Sequence, residues 1–342
     1  MLLKPYTANI IIDGQFGSTG KGSFAAFIAL NDEFDIGVCN TAPNAGHTAI
    51  THDKKIITKH LPISSIISNK PIYLNAAARI NPDILMDECL RYHINPKDVV
   101  IHPRAAIISQ DDIEMEKDLT SNATKLASTQ SGVGAATINK IKRLPQAVAK
   151  NNGFILEKFS VQKIDLNAEI KNNKTILLET GQGYGLGINE GFSYPYCTSH
   201  NITVSQTLAD ANIHPKNLGN VILTLRTYPI RVGNIVDKTG NEIGFSGPFY
   251  EDSKEISYAD LGLEQEYTTN TKRPRRMATF SFKQYTEVTS ACEPNIIFLN
   301  FANYCSENEL NALIDKMMAI YKPEKLYLGY GSSIEDIVLY KF

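Results

Sequence analysis

The residues best suited to chemistry lie in a glycine-rich segment, residues 13–23, which reads Asp-Gly-Gln-Phe-Gly-Ser-Thr-Gly-Lys-Gly-Ser. An apolar run before it, residues 9–12, predicts a β-strand, and the pattern of residues 24–30 predicts a helix. Glycines let backbone N–H groups turn towards a phosphate, a helix N-terminus favours anions, and Lys21 adds a point charge. The spacing differs from a regular P-loop, because residue 15 is Gln and residue 22 is Gly. The segment therefore predicts a phosphate-binding turn, with a plain tight turn as the alternative.

A second candidate segment, residues 41–48, reads Thr-Ala-Pro-Asn-Ala-Gly-His-Thr and follows the second predicted strand. Open α/β sheets bind ligands at the carboxyl ends of their strands, so His47 occupies a position typical of a functional residue. A single histidine is more often structural, and we assign that role to His93, His102 and His214.

The elements that must position these segments are short apolar strands alternating with helical patterns. Continuous apolar runs are typical of parallel strands that are covered on both faces. The predicted fold is therefore an α/β domain, a mostly parallel central sheet flanked by helices, formed by residues 1–342 as one domain. Asn81 and Pro82 suit the N-cap and the first position of one helix. The predicted strands are residues 9–12, 36–40, 99–102, 175–179, 221–226, 296–300 and 326–329, and further predicted helices are residues 82–92, 111–126 and 307–321.

Composition narrows the function classes. The formal net charge of -2 lacks the basic excess of a protein that binds a nucleic-acid backbone. No stretch reaches the ~18 apolar residues of a membrane span, and the N-terminus has no signal-peptide pattern. The 5 cysteines show no paired spacing, which favours a reduced, cytoplasmic protein.

Several blocks, in order along the chain, resemble the signatures of the adenylosuccinate synthetase family. The glycine-rich segment and the Asn-Ala-Gly-His-Thr segment are the first two. The other matching blocks are Leu61-Pro62 with Ser65-Ile66, residues 128–135 (Ser-Thr-Gln-Ser-Gly-Val-Gly-Ala), residues 179–183 (Glu-Thr-Gly-Gln-Gly), residues 194–199 (Tyr-Pro-Tyr-Cys-Thr-Ser), Arg231-Val232-Gly233 and residues 271–276 (Thr-Lys-Arg-Pro-Arg-Arg).

The resemblance implies a P-loop-related fold and a two-step ligase reaction that uses Mg²⁺. A nucleoside triphosphate phosphorylates O6 of a purine nucleotide, and the amine of L-aspartate then displaces phosphate at C6. Such a transfer needs in-line positioning and charge stabilisation more than covalent help. The family also implies a homodimer, because the arginine that matches Arg143 reaches the neighbouring subunit's site; a solvated helix charge is the alternative for Arg143.

Carried over position by position, the resemblance assigns four sets of residues. Catalytic roles fall to Ser18, Lys21, His47 and Gln182, and metal binding to Ser18 and the Gly46 carbonyl. The nucleoside monophosphate is expected at Ser18, Asn44, Thr129, Arg143, Gln182, Thr198 and Arg273. The triphosphate is expected at Gly17, Thr19, Gly20, Lys21, Gly22, Ser23, Gly46, His47, Thr48, Arg275, Asn303 and Gly331. L-aspartate is expected at Thr269, Asn270, Thr271 and Arg273.

Two points qualify the assignment of residues 269–273 as the aspartate loop, the segment expected to bind L-aspartate. Lys272 stands where the family usually has Gly. The run of residues 272–276 is also compatible with a nucleic-acid patch or with solvated charges. Arginine's planar fork nevertheless suits carboxylates better than lysine's point charge.

One departure from the family concerns the acceptor purine. Family members that act on IMP carry an aspartate at the position of Ser18, and serine cannot take the N1 proton near neutral pH. A serine leaves room for the 2-amino group of guanine and can hydrogen-bond it. The Ser-Thr-Gly-Lys-Gly run resembles the phage-type branch of the family, which converts dGMP towards diaminopurine nucleotides and would act in a host cytoplasm. The alternatives are an IMP enzyme in which Asp13 or water replaces the base, and a non-catalytic nucleotide sensor.

A second departure concerns the phosphoryl donor. Members that use GTP carry an aspartate that accepts from guanine, whereas this chain reads Asn-Phe-Ala-Asn at residues 300–303. Losing a charged hydrogen bond should weaken guanine preference by roughly 1–3 kcal/mol. Since Phe301 can stack on any purine, the expected donor is ATP or dATP.

Overall fold

The computed structural model describes residues 1–52, 54–118, 120–268 and 271–341. The helices are α1 (Lys21–Asn31), α2 (Ile63–Ser68), α3 (Pro82–Arg91), α4 (Gln110–Lys117), α5 (Asn122–Lys125), α6 (Val133–Ile141), α7 (Gly153–Lys158), α8 (Leu166–Lys171), α9 (Val204–Asp210), α10 (Phe282–Cys292) and α11 (Glu307–Ile320). The strands are β1 (Ala8–Asp13), β2 (Ile36–Cys39), β3 (His47–Ile50), β4 (Lys55–Thr58), β5 (Ile72–Leu74), β6 (Arg79–Ile80), β7 (Val99–Ile101), β8 (Ala106–Ile107), β9 (Ser160–Val161), β10 (Ile176–Glu179), β11 (Leu218–Arg226), β12 (Ile230–Arg231), β13 (Ile235–Val236), β14 (Glu242–Gly244), β15 (Glu255–Ile256), β16 (Arg276–Ala278), β17 (Ile296–Asn300), β18 (Lys325–Gly329) and β19 (Ile337–Tyr340).

Ten strands form one central sheet in the order β19-β18-β17-β11-β1-β10-β2-β5-β7-β9. Its neighbours run parallel except β19, which pairs antiparallel with β18. All seven predicted strands belong to this sheet, so the predicted fold class is confirmed. Residues of β5, β9 and β19 join the sheet without having been predicted, since strands of 2–4 residues give a weak pattern.

Apolar side chains cover both faces of the sheet. In β1, Ile10 and Ile12 belong to one buried cluster with residues of α9, α10 and α11, whereas Ile11 belongs to a second cluster with α1 and α2. On the second face Phe24 of α1 stacks on Phe298 of β17, with ring centroids 4.8 Å apart. Burial on both faces explains why these strands are continuously apolar.

The prediction of one helix over residues 111–126 is wrong. Two helices occupy this stretch, α4 and the short α5. Asp118 accepts hydrogen bonds from the backbone and hydroxyl of Thr120, and Ser121 caps α5 through the amide of Thr124. Asp, Ser and Thr side chains offer the backbone these alternatives to helical bonding, which an apolar pattern does not reveal. By contrast, Asn81 caps α3 as predicted, accepting from the amides of Asp83 and Ile84.

No helix among the described residues is long and apolar enough to cross a bilayer. The prediction of one domain spanning the chain stays a prediction.

Candidate active site

The loops after five adjacent strands, β17, β11, β1, β10 and β2, border a cleft with a volume of about 640 Å³. Because these strands are parallel, their carboxyl ends meet at one edge of the sheet. Most predicted site residues line this cleft: Gly17, Ser18, Thr19, Gly20, Lys21, Gly22, Ser23, Asn44, Gly46, His47, Thr48, Thr129, Gln182, Thr198, Thr271, Arg275 and Gly331.

The glycine-rich segment forms the turn from β1 into α1. Gly17 and Gly20 have left-handed backbone conformations, with φ of 98° and 97°, and α1 begins at Lys21 with no side chain capping its first turn. A Cβ on Gly20 would lie 2.2 Å from Nδ2 of Asn300. The turn therefore requires glycine at position 20, and it leads into an uncapped helix N-terminus of the kind that binds phosphate.

Asp13 organises this turn from beneath. Its Oδ1 accepts from the amides of Gln15 (2.9 Å) and Gly17 (3.3 Å), and its Oδ2 accepts from Thr19 Oγ1 (2.6 Å) and Lys21 Nζ (3.0 Å). The carboxylate is fully buried. Four donors occupy its two oxygens, so Asp13 holds the turn in shape rather than presenting a free oxygen to a ligand.

Gln182, in the turn after β10, connects two walls of the cleft. Its carbonyl oxygen accepts from Lys21 Nζ at 2.8 Å, and its side-chain amide donates to Asn44 Oδ1 at 3.0 Å. The turn, the Asn44 segment and the β10 loop are thus held together before any ligand binds.

His47 begins β3 and is buried at the edge of the cleft. Its Nδ1 lies 3.8 Å from Oε2 of Glu179, a carboxylate that accepts from the amide (2.9 Å) and hydroxyl (2.6 Å) of Ser64 and from the amide of Ile63 (3.2 Å). Its Nε2 has no hydrogen-bond partner among the described residues. The ring is therefore flanked by a fixed carboxylate on one side and keeps its other nitrogen for a ligand.

Ser18 and Arg275 meet in the cleft although 257 positions separate them. Arg275 Nη1 donates to Ser18 Oγ at 2.6 Å. Burial lowers the pKa of Arg275, while the nearby carboxylate of Glu266 raises it. The hydroxyl that replaces the family's carboxylate is thus held by a neighbouring cation.

Arg273 joins the proposed aspartate loop to the Thr129 segment. Its Nε donates to Thr271 Oγ1 (3.0 Å) and its Nη2 to the carbonyl of Ser128 (2.8 Å), whereas its buried Nη1 has no partner in the described part of the chain. Burial lowers the pKa of Arg273. Arg273 lies beside the cleft lining, and the predicted ligands Thr269 and Asn270 lie outside the described residues.

Two predicted site residues lie apart from the cleft. Arg143 is exposed just after α6, and Asn303 is exposed beyond β17, where Asn300 and Phe301 line the cleft instead.

Several polar residues that line the cleft were not predicted from the sequence: Glu116, Ser199, Arg226, Arg231 and Glu266. Arg226 ends β11, so its position at the carboxyl end of a strand was the available signal. Arg231 belonged to a recognised family block. It is buried over the ring of Phe16, 4.4 Å from the centroid, and burial lowers its pKa to about 9.

The cleft holds buried donors that lack partners among the described residues. Besides His47 Nε2 these are Arg226 Nε and Arg231 Nη1, and the hydroxyl of Ser199 is also unpartnered. Buried polar groups in proteins are nearly always hydrogen-bonded. A set dominated by cationic donors therefore indicates a site that anionic ligands complete.

A second cavity of about 460 Å³ contains none of the predicted site residues. Arg79, Lys140, His200 and Asp210 are among its lining side chains. Asp210 accepts at 3.1 Å from Asn40, whose own oxygen accepts from the amide of Gly181, so this cavity adjoins the back of the β10 loop.

The chain matches the sequence model of the family described as adenylosuccinate synthetase over residues 10–160 and 146–307. It is 35% identical to the N6-succino-2-amino-2'-deoxyadenylate synthase of Salmonella phage PMBT28, over 97% of both chains. It is 36% identical to the enzyme of that name from cyanophage S-2L, over 96% of this chain and 91% of that one. The adenylosuccinate synthetase of Archaeoglobus fulgidus is 28% identical over 79% of this chain and 76% of its own.

Two solved structures are similar to this chain over nearly its whole length. The succinoaminodeoxyadenylate synthetase of cyanophage S-2L, bound to dGMP and to dATP as an energy donor, has a TM-score of 0.86 at 34% identity and covers 97% of this chain and 95% of its own. The fully ligated adenylosuccinate synthetase of Plasmodium falciparum has a TM-score of 0.80 at 18% identity, over 97% and 99% of the two chains, and shows the shared fold. The glycine-rich turn (residues 13–23) and the histidine loop (residues 41–48) meet in one cleft, and the family model covers most of the sequence. This chain therefore belongs to the adenylosuccinate synthetase family.

Proposed function

We propose that this protein condenses dGMP with L-aspartate, driven by ATP hydrolysis through a 6-phosphoryl purine, to give 2-amino-2′-deoxyadenylosuccinate. The observation that carries the choice of substrate is Ser18, whose hydroxyl lies in the cleft and accepts from Arg275. The names of the phage relatives and the dGMP bound to the cyanophage enzyme support the same substrate.

The chemistry of Ser18 favours guanine over hypoxanthine. A serine oxygen has two lone pairs, and Arg275 occupies one of them. The second can accept from the 2-amino group of guanine, which hypoxanthine lacks. A hydroxyl is also shorter than the carboxylate it replaces, so the amino group has room.

Phosphorylation of O6 releases the N1 proton from dGMP and from IMP alike, and a serine near neutral pH takes it from neither. In an ordinary IMP enzyme, one candidate for the missing base was Asp13. Both of its oxygens are already occupied by four donors. Using Asp13 as a base would require breaking bonds that shape the glycine-rich turn. Asp13 is therefore disfavoured in that role, which leaves water, the other candidate, as the proton acceptor.

Phosphoryl transfer would take place between the α1 N-terminus and His47. Lys21 and the backbone of the turn would bind the triphosphate, and His47 Nε2 would donate to the oxygen on which charge develops. Such preorganised donors act by electrostatic stabilisation and need no reorganisation during the reaction.

The residues fit a magnesium ion bound chiefly through the phosphates. Mg²⁺ prefers oxygen ligands and usually retains waters. The nearby carboxylates of Asp13, Glu116 and Glu266 already accept from N–H groups, and no cluster of three or more His, Cys, Asp or Glu able to hold a metal occurs among the described residues. Of the two predicted protein ligands, the Gly46 carbonyl would then contact the ion, because Arg275 and the 2-amino group would occupy both lone pairs of the Ser18 hydroxyl. The bound ion would neutralise charge on the transferring phosphoryl group.

L-aspartate would bind where Thr271 and Arg273 meet the Ser128 carbonyl. Arg273 Nη1 is the buried donor without a partner there among the described residues, and a substrate carboxylate would satisfy it. Thr129 and Thr198, on neighbouring parts of the cleft, would hold the deoxynucleoside monophosphate.

ATP or dATP would place its base on Phe301. The ring lines the cleft, and the guanidinium of Arg226 covers it at 3.7 Å from the centroid. An apolar ring without the family's guanine-binding aspartate stacks on a purine without selecting guanine. The dATP in the cyanophage enzyme supports this choice.

A homodimer would bring Arg143 to the neighbouring subunit's site. Arg143 follows α6, on which Ile138 and Ile141 are 51% and 73% exposed. Burying two large aliphatic side chains against a second copy would be favourable, at roughly 25 cal/mol per Å² of apolar surface. The proposed place of action is the cytoplasm of a phage host, as the phage relatives suggest.

The test is phosphate release with L-aspartate and magnesium over dGMP, GMP, dIMP and IMP, each with ATP and with GTP. The expected result is the highest kcat/KM with dGMP and ATP. A higher kcat/KM with IMP would establish the ordinary synthetase instead, and no release with any pair would indicate a nucleotide sensor.

A further inference from the structure

Glu266 lines the cleft, yet no step of the proposed reaction uses it. It lies three positions before Thr269, just ahead of the proposed aspartate loop. Its two carboxylate oxygens contact side chains from three separate parts of the chain: Arg226, Arg275 and Tyr304.

The first group that Glu266 contacts is Arg226, at the end of β11. Oε1 accepts from Arg226 Nη2 at 2.6 Å and Oε2 from Nη1 at 3.4 Å. Arg226 is only 1% exposed, and its guanidinium lies over the ring of Phe301. Removing one partner of a buried ion pair leaves the other charge uncompensated. Glu266 therefore compensates the charge of Arg226 and holds its guanidinium oriented and stacked on Phe301.

A second contact supports the same ring. Tyr304 donates its hydroxyl to Glu266 Oε1 at 3.0 Å, and its ring centroid lies 5.2 Å from that of Phe301. Phe301 is thus bordered by two side chains that both end on this one carboxylate.

The third contact runs to the phosphate turn. Arg275 Nε lies 3.7 Å from Glu266 Oε2, while Nη1 of the same guanidinium donates to Ser18 Oγ. Arg226 Nη1 also lies 3.4 Å from the Ser18 carbonyl. The carboxylate thus orients the cation that holds the Ser18 hydroxyl.

Electrostatics keeps this carboxylate ionised. Burial alone would raise the pKa of Glu266, but the guanidinium of Arg226, together with Arg275 and the Tyr304 hydroxyl, holds it below the ordinary value. Two guanidiniums against one carboxylate leave the cluster cationic, as a cleft for nucleotides requires.

We propose that Glu266 is a positioning residue that couples the two nucleotide subsites, by holding Arg226 on Phe301 where the donor base stacks and Arg275 on Ser18 where the acceptor purine binds. The inference rests on the proposed function for the identity of the two nucleotides. Glu266 lies outside the glycine-rich turn and the histidine loop, yet it would contribute to the affinity for both nucleotides.

Glu266→Gln tests this proposal, because glutamine keeps the shape and removes the charge. The expected result is a rise of about tenfold in KM for ATP and a smaller rise for dGMP, as for loss of a charged hydrogen bond, with KM for L-aspartate unchanged within about twofold. Glu255→Gln is the matched control: Glu255 pairs with Arg276 at 2.6 Å in the neighbouring β15–β16 pair, and it does not line the cleft. The control should leave all three KM values unchanged.

Tyr304→Phe is a milder second variant, removing one hydroxyl and one bond to Glu266. It should raise KM for ATP about two- to threefold without changing kcat. A purely structural role would lower the melting temperature of both variants and leave the KM values at wild-type level, and that result would overturn the proposal.

Failure of the proposed function would look different. If the wild type releases no phosphate with dGMP, calorimetric binding of ATP to wild type, Glu266→Gln and Glu255→Gln still separates the two questions. Weaker binding to Glu266→Gln alone would support the positioning role, and equal binding to all three would overturn it.

Discussion

At the residue scale, the chemistry of the cleft depends on which atoms are already bonded and which are left for a ligand. The carboxylate oxygens of Asp13 and Glu179 already accept hydrogen bonds from other residues of the protein. His47 Nε2 and Arg273 Nη1 are buried without partners among the described residues. The carboxylates therefore build the site, and the histidine and arginine nitrogens are the groups that a substrate can engage.

His47→Ala should reduce turnover by about two to three orders of magnitude, as for loss of one transition-state donor. Folding stability should change little. His52→Ala is the control, since His52 follows β3 on the same β3–β4 hairpin with a side chain that is 79% exposed. Comparing kcat for the three proteins decides the matter: a loss of less than tenfold in His47→Ala would make His47 a structural residue.

Arg273→Lys keeps the charge of residue 273 but loses the planar fork, which now reaches both Thr271 and Ser128. KM for L-aspartate should rise by about tenfold or more, and KM for dGMP much less. Arg276→Lys is the control, because Arg276 pairs with Glu255. Equal increases in both KM values would place Arg273 at the nucleotide or in the fold.

At the element scale, the turn between β1 and α1 is the feature on which the proposed phosphate binding depends. Its left-handed glycines let the chain reverse over the end of the sheet, and Gly20 packs directly on Asn300 at the end of β17. The turn is therefore fitted to a neighbouring strand as well as to a ligand.

Gly20→Ala should weaken ATP binding and lower the free energy of unfolding by more than the ~1–2 kcal/mol of a left-handed alanine. The excess comes from the Cβ that would lie 2.2 Å from Asn300. Gly240→Ala isolates the backbone effect, because Gly240 has φ of 88° and a Cβ added there would have no described neighbour within 4 Å. Denaturant unfolding and ATP titration of both variants are the measurements; equal destabilisation would mean that Asn300 moves aside freely.

At the scale of the whole molecule, burial of neutral histidines makes stability depend on pH. Burial, the larger cause, and the nearby charge of Lys59 lower the pKa of His60 to about 3. Its Nε2 accepts from the amide of Asn81, the cap of α3. The pKa of His200 is also lowered to about 3, by burial and then by Arg79.

The free energy of unfolding should therefore fall as the pH drops from about 6.5 towards 4. In that window the unfolded chain binds protons at these histidines and the folded chain does not. The free energy of unfolding therefore falls by up to about 1.4 kcal/mol for each pH unit and for each of the two histidines. His60→Gln, which can still accept from Asn81, should reduce that slope, and the exposed His52→Gln should not. Chemical denaturation at a series of pH values would show an unchanged slope in His60→Gln if this explanation is wrong.

The sequence by itself determined the positions of the main strands and the family. It also identified the two segments that follow the first two predicted strands, residues 13–23 and 41–48, as candidate ligand-binding loops. Continuous apolar runs and glycine-rich turns are local features, so the parallel sheet and a turn after β1 were predictable. The sheet is confirmed, and the binding of phosphate by the turn stays a prediction. The interrupted helix at Asp118 and Ser121 was missed because side-chain bonds to the backbone depend on local geometry that an apolar pattern does not contain.

Only the tertiary structure decided which distant side chains meet. Arg275 reaches Ser18, Glu266 holds Arg226, and Glu179 flanks His47, although each pair is far apart along the chain. Spacing along a sequence constrains neighbours on one helix or strand, whereas these pairs form where loops from separate strands converge at one edge of the sheet. The physical reason is that their partners are selected by the packing of the sheet, which no local pattern encodes.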